Sequence, residues 1–179
     1  MALKVDRNWT LFLDRDGVIN KRNFGGYITS IKEFHFLPNA LKGISQLSKM
    51  VGKIIVVTNQ QCIGKKILKV SNLNEIHDYM VKEVDLAGGR IDAVLFAPNL
   101  KSAENNRRKP DSCMALEARE MFPEVDFNKS IMVGDTDTDI QFGTNLGMKT
   151  VLIRSEEKIT EKADFELNDL IELVELIKY

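Results

Sequence analysis

The stretch Trp9-Thr10-Leu11-Phe12-Leu13-Asp14-Arg15-Asp16-Gly17 decides how the chain is read. Its first five residues are mostly aromatic, aliphatic or β-branched and do not alternate with polar ones, as suits a short strand buried on both faces. Such a strand belongs to a parallel sheet covered by helices. It runs directly into two carboxylates two residues apart. Asp14 and Asp16 repel each other unless a cation lies between them, and a hard cation such as Mg2+ prefers oxygen ligands. A solvated turn or a helix cap is the alternative that D-x-D-G alone leaves open.

Working outward, compact apolar runs recur at Ile54–Val57, Ile91–Phe96, Ile131–Val133 and Thr150–Ile153. They alternate with helical patterns, the signature of a parallel α/β fold. A helix is expected over Ala40–Val51, with Ala40, Ile44, Leu47 and Val51 on one face and Gly52 as its stop. A second runs over Leu73–Leu86, with Ser71 or Asn72 as cap and Gly88-Gly89 beyond. Two more are expected over Asp111–Phe122 and Asp137–Leu146, and a closing helix over Asn168–Ile177. Without repeats or a Pro/Gly/Ser-rich linker, residues 1–179 read as one domain. The segments Asn20–Pro38 and Ala97–Lys109 lack periodicity, and loops of that length are candidate substrate contacts.

Composition narrows the function. The 25 Lys and Arg against 26 Asp and Glu give a net charge of -1, so no general attraction to nucleic acid or an anionic membrane is expected. No apolar run approaches the length of a membrane span, and the opening residues lack the apolar core of a secretory signal. Cys62 and Cys113 are far apart and read as reduced thiols, so a cytoplasmic location is expected.

Three further clusters follow strands or precede a helix. Gly134-Asp135-Thr136-Asp137-Thr138-Asp139 follows the run at 131–133. Ligands collect at the carboxyl ends of strands in doubly wound sheets, so two acidic clusters at two such ends can converge on one metal. Asp at a helix N-terminus is the plainer account of Asp137. Thr58-Asn59 after the run at 54–57 offers a hydroxyl and an amide for phosphate oxygens, or ordinary turn chemistry. Arg107-Arg108-Lys109 is either an anion site or a solvated surface run.

In their order along the chain, FLDRDGVIN (residues 12–20), VVTN (56–59), RKP (108–110) and GDTDTD (134–139) resemble the four motifs of the haloacid dehalogenase (HAD) superfamily of phosphatases. The wording is most similar to the histidinol-phosphate and heptose-bisphosphate phosphatase branch, including Gly26-Tyr27-Ile28 and Thr58-Asn59-Gln60. The resemblance implies a three-layer α/β/α sandwich with a central parallel sheet, Rossmannoid and without a cap. It implies hydrolysis of a small sugar or polyol phosphate, with Asp14 as nucleophile through an aspartyl phosphate and Asp16 as acid/base. Thr58 and Asn59 would hold phosphoryl oxygens, and Lys109 would neutralise charge. Mg2+ would be held by the Asp14 side chain, the Asp16 backbone carbonyl and Asp135, with Asp139 orienting the site from behind. Asn20, Tyr27 and Arg108 are the candidate contacts to the rest of the substrate.

The chain departs from that branch in two places. The loop 97–108 has no cysteine or histidine, so the structural zinc site common there is not expected. Lys65 stands where an arginine is frequent, and reads either as a surface lysine or as a weaker substrate contact. The intervals between motifs leave no room for a large cap. His35, His77 and Cys113 read as structural, Cys113 in the core. A polynucleotide 3′-phosphatase and a phosphate-accepting signalling module are the rival readings. The expected partner is a small phosphate ester, with the protein a monomer or a homo-oligomer.

Overall fold

Six parallel strands carry the molecule, and residues 3–104 and 106–178 are described by a computed structural model. In chain order the strands are β1 (Leu3–Lys4), β2 (Thr10–Leu13), β3 (Lys53–Asn59), β4 (Ala93–Ala97), β5 (Ser130–Gly134), β6 (Lys149–Ile153), β7 (Phe165–Leu167) and β8 (Ile177–Lys178). The main sheet has the order β4-β3-β2-β5-β6-β7, while β1 and β8 pair separately. The helices are α1 (Ala40–Leu47), α2 (Gln61–Gly64), α3 (Val70–Leu86), α4 (Cys113–Met121), α5 (Asp137–Asn145) and α6 (Leu170–Leu176).

The period of two along each strand divides the core between the two sheet faces. Leu11, Leu13, Ile54, Val56, Ile131 and Val133 pack with Ile44, Leu47, Leu73, Ile76 and Leu170 of α1, α3 and α6. Phe12, Ile55, Val57 and Met132 pack on the other face with Met114, Ala118 and Phe142 of α4 and α5. The three-layer sandwich expected from the sequence is what the chain builds.

Several element ends differ from expectation. The first helix stops at Leu47 rather than Val51, because Arg90 gathers the main-chain oxygens of Ser48, Val51 and Gly52, ending the helix with a side chain. The helix expected at 73 begins at Val70 with Lys69 at its cap position, ahead of Ser71 and Asn72. The helix expected at Asp111 begins two residues late, at Cys113, whose side chain is exposed rather than in the core, and His35 is exposed as well. At the tail, Asp169 accepts from the amides of Ile171 and Glu172 to start α6, and Ile177–Lys178 leaves the helix to pair with Leu3–Lys4.

Strand order decides where ligands collect. From the central β2 the chain builds outward through β3 and β4, then returns to β5 on the other side of β2. The carboxyl ends of β2 and β5 therefore flank the point where the order reverses, and a crevice opens there. Between β2 and β3 lie the loop 20–38 and α1, and between β3 and β4 lie α2 and α3; neither interval holds a separate cap among the described residues.

Candidate active site

Asp14 is the first residue beyond β2, and its amide donates to the Val133 carbonyl of β5 at 2.9 Å. This last rung of the β2–β5 ladder turns the carboxylate into the crevice. There Asp14, Asp135 and Asp139 each bring a carboxylate oxygen to within 4.8 Å of the others, all buried. Lys109 enters from the far side of β3. Its Nζ, buried with the acids, lies 2.7 Å from Asp14 Oδ1 and 2.6 Å from Asp139 Oδ1, and donates to the Val57 carbonyl at 2.6 Å. One ammonium therefore balances two carboxylates, and the third acid faces Arg22, whose Nη1 is 3.0 Å from Asp135 Oδ2.

Two glycines make this crowding possible. Gly17 has φ +95°, and a Cβ there would lie 2.2 Å from Asp135 Oδ2. A Cβ on Gly134 would lie 2.1 Å from the Asp139 Cβ. The turn after β2 can approach Asp135, and α5 can close onto the end of β5, only because these two side chains are missing.

The three acids are not equivalent. Asp139 Oδ2 accepts from the amides of Asp135 and Thr136 and from the Thr136 hydroxyl, while Oδ1 meets Lys109, so both its oxygens are engaged by the protein. Asp135 Oδ1, by contrast, is buried without a hydrogen-bond partner. A buried carboxylate oxygen left unpaired is costly, and a hard cation is the ligand that its chemistry suits. Asp14 and Asp135 are thus the acids with oxygen left to offer a metal, while both oxygens of Asp139 are already engaged.

Electrostatics follow from the crowding. Burial, opposed by Lys109, pushes the Asp14 carboxyl up to about 6. Burial and then the charge of Asp14 push Asp135 up to about 7. Burial opposes the charge of Lys109, yet Asp139 and then Asp14 hold its ammonium above the usual value. Asp16 sits differently. Burial would raise its carboxyl, but the Arg15 guanidinium and hydrogen bonds from Asn20, Arg15 and Gln60 hold it below the usual range.

The expected site residues converge unevenly. Asp14, Asp16, Thr58, Asn59, Tyr27, Arg108 and Lys109 line one cleft of about 590 Å³ together with Asp139. Thr58 Oγ1 accepts from Gln60 Nε2 at 2.9 Å, which leaves its own proton to be donated. The Asn59 carboxamide clasps the main chain of Lys109, accepting from its amide at 2.9 Å and donating to its carbonyl at 3.2 Å. Asn20 is buried beneath the cleft instead of lining it, and its Nδ2 donates to Asp16 Oδ1 and the Lys21 carbonyl, both at 2.9 Å. Lys65, though exposed, stands at the cleft with Nζ 5.3 Å from the Tyr27 ring centre.

Four contributors escaped the sequence reading. Gln60 ties Asp16 to Thr58. Arg22 and Glu157 meet 3.5 Å apart across the mouth, joining loops from opposite halves of the sheet. Arg15 holds Asp16 from inside the core. For Arg22, six residues beyond Asp16, only its charge in a long segment without periodicity could have pointed to it.

Residues 106–172 match the HAD-hydrolase-like family. The chain is 32% identical over 146 residues to the D-glycero-alpha-D-manno-heptose-1,7-bisphosphate 7-phosphatase of Mycobacterium bovis, covering 82% of this chain and 77% of that protein. It is 33% identical over 181 residues to the D-glycero-beta-D-manno-heptose-1,7-bisphosphate 7-phosphatase of Escherichia coli K12, covering 94% and 93%. Among solved structures, the D,D-heptose 1,7-bisphosphate phosphatase of B. bronchiseptica, complexed with magnesium and phosphate, superposes with a TM-score of 0.81 at 24% identity, over 93% of this chain and 96% of that one. The corresponding protein of Burkholderia thailandensis gives a TM-score of 0.65 at 28% identity, over 93% and 96%.

Proposed function

The chain belongs to the HAD-like phosphatases, in the heptose-bisphosphate phosphatase branch, and on that premise we propose that it hydrolyses a phosphate monoester of a small sugar or polyol, such as heptose bisphosphate or histidinol phosphate, through an aspartyl phosphate on Asp14. The observation that carries this reading is Lys109 Nζ, buried between Asp14 and Asp139 beside the unpaired oxygen of Asp135. Residues 1–179 act in it as one catalytic domain.

Mg2+ would be held by the Asp14 and Asp135 carboxylates and the Asp16 carbonyl. When bound it supplies positive charge for the phosphoryl oxygens and for the acids. The other roles fall to the chain itself. Asp14 Oδ1 is fixed by Lys109, so the nucleophile is aimed before substrate arrives. The Thr58 hydroxyl and the Lys109 ammonium face the equatorial oxygens, where charge is greatest during phosphoryl transfer.

Asp16 gives its proton to the leaving oxygen and later takes one from the water that opens the aspartyl phosphate. Its resting environment favours the ionised form; an arriving phosphate dianion disfavours that form and brings the proton back. Asn59 positions Lys109 through its main chain. Arg108 and Tyr27 contact the remainder of the substrate, and Asn20 contributes by bracing Asp16.

Phosphate release should be measured on sugar mono- and bisphosphates, histidinol phosphate, nucleotides and 3′-phosphorylated DNA, with Mg2+ or with EDTA, for the native protein and for Asp14→Asn. Metal-dependent turnover of a sugar or polyol phosphate, absent in the variant, supports the reading. Preference for DNA ends, or no turnover by folded protein in Mg2+, overturns it.

A further inference from the structure

Arg15 lies where a cation is costly. Its side chain is fully buried, and its Nε has no hydrogen-bond partner. A buried unsatisfied donor in a native fold asks for a reason. The two terminal nitrogens reach in different directions. Nη2 donates to Asp16 Oδ1 at 2.9 Å, and Nη1 lies 3.2 Å from His77 Nε2. The Phe34 ring, 5.9 Å from Cζ, covers the guanidinium.

A guanidinium has only donors, so His77 Nε2 is the acceptor and its ring is neutral. Burial, and after it the charge of Arg15, depress this imidazole to about 3. His77 therefore carries no proton in or out at neutral pH. It sits on α3, a helix of 17 residues anchored in the core by Leu73, Ile76, Met80 and Val84. What it offers Arg15 is a fixed acceptor on a rigid element.

The consequence falls on Asp16. Its Oδ1 takes hydrogen bonds from Arg15 and Asn20, and its Oδ2 from Gln60. Asn20 belongs to the same turn as Asp16, and Gln60 to the residue after β3. The link through Arg15 is the one that ties the carboxylate to the helical layer. We infer that His77 is a positioning residue for the reaction, acting through Arg15 to aim the Asp16 carboxyl at the leaving oxygen of the substrate.

The inference rests on the phosphatase reading above and on the acid/base role of Asp16 within it. In the first step the bond from phosphorus to Asp14 forms, the bond to the leaving oxygen breaks, and the Asp16 proton moves to that oxygen. A sugar or alkyl leaving group, strongly basic as the alkoxide, needs that proton. The p-nitrophenolate leaving group, weakly basic, does not. Because kcat/KM reports events up to the first irreversible step, it isolates this transfer.

The test compares kcat/KM for an alkyl or sugar phosphate with that for p-nitrophenyl phosphate in the native protein, His77→Leu and His77→Gln, each in Mg2+ and below its melting temperature. General acids contribute on the order of 100-fold or more, so misaiming one should lower kcat/KM for the alkyl ester about 10-fold more than for the aryl ester in His77→Leu. His77→Gln, whose amide oxygen can replace Nε2 as acceptor, should restore the native ratio. Equal losses on both esters, or no loss in His77→Leu, overturn the inference. If His77→Leu does not fold, His77→Asn, too short to reach Arg15, replaces it with the same expectation. A native protein whose turnover survives in Asp14→Asn would instead sink the underlying phosphatase mechanism, so the two failures are distinguishable.

Discussion

Lys109 joins two buried acids to one ammonium, and its removal acts on both stability and chemistry. Lys109→Met leaves Asp14 and Asp139 buried without their partner, a change that costs roughly 3–5 kcal/mol where one member of a buried pair is lost. The variant should unfold at lower urea in EDTA, and its kcat/KM in Mg2+ should fall by about 100-fold or more, as when a preorganised donor is lost. A second expectation concerns pH. The carboxyls of Asp14 and Asp135, raised to about 6 and about 7, still hold protons in the fold at pH values where the unfolded chain has released them. Their contribution favours the fold at low pH and is lost as pH rises through those values. Urea midpoints in EDTA should therefore fall between pH 5 and pH 8, and less steeply in Asp14→Asn. At this scale the convergence of Asp14, Asp135, Thr58 and Lys109 was legible, because each directly follows an apolar run or precedes a helical pattern in the sequence. Arg15, Gln60 and Arg22 were not, since an arginine between two acids and a glutamine after a strand look alike in sequence whether they face solvent or a carboxylate.

The start of α5 shows one short motif assigning its acids to separate tasks. Asp135 is buried against Arg22, and Asp139 closes a capping box with Thr136. Asp137, at the cleft wall, accepts from the amides of Thr160 and Glu161 and from the Thr160 hydroxyl, and so pins the loop that carries Glu157 and Lys158 to the cleft mouth. Asp137→Ala should raise KM with kcat little changed, and limited proteolysis should open the chain near Lys158. The Gly134 contact predicts the opposite pattern. Gly134→Ala pushes α5 away from β5, costing about 1–3 kcal/mol as overpacking does, and should lower kcat and weaken metal binding measured by titration calorimetry. Elements buried on both faces were readable as continuous apolar runs. The edge strand β7 was not, because Phe165–Leu167 is three residues long with only partial burial. Nor were β1 and β8, two residues each, which exist only because they find one another.

Across the whole molecule, the sheet separates what holds the fold from what faces the cleft. Leu173 of α6 is fully buried on the layer shared with α1 and α3, away from the cleft. Leu173→Ala should cost about 2–5 kcal/mol yet leave kcat/KM unchanged well below the melting temperature, as paired denaturation and rate measurements would show. The three-layer plan was legible because helical and strand periods alternate along the chain; the strand order was not, since parallel neighbours leave no mark on each other's sequence. That order also has a consequence in time. Thr10 of β2 pairs with Lys53 on one side and with Ser130 on the other, so the central strand is completed only when the last third of the chain comes home. The β2–β5 closure spans the longer loop and carries the larger entropic cost, which places it late in assembly. Asp14 and Asp135 stand on opposite sides of that seam, so a cation gripping both recognises only the finished sheet. Stopped-flow refolding and unfolding should then show Mg2+ leaving the folding rate nearly untouched while slowing unfolding, the ion acting as a clasp on the last seam to close.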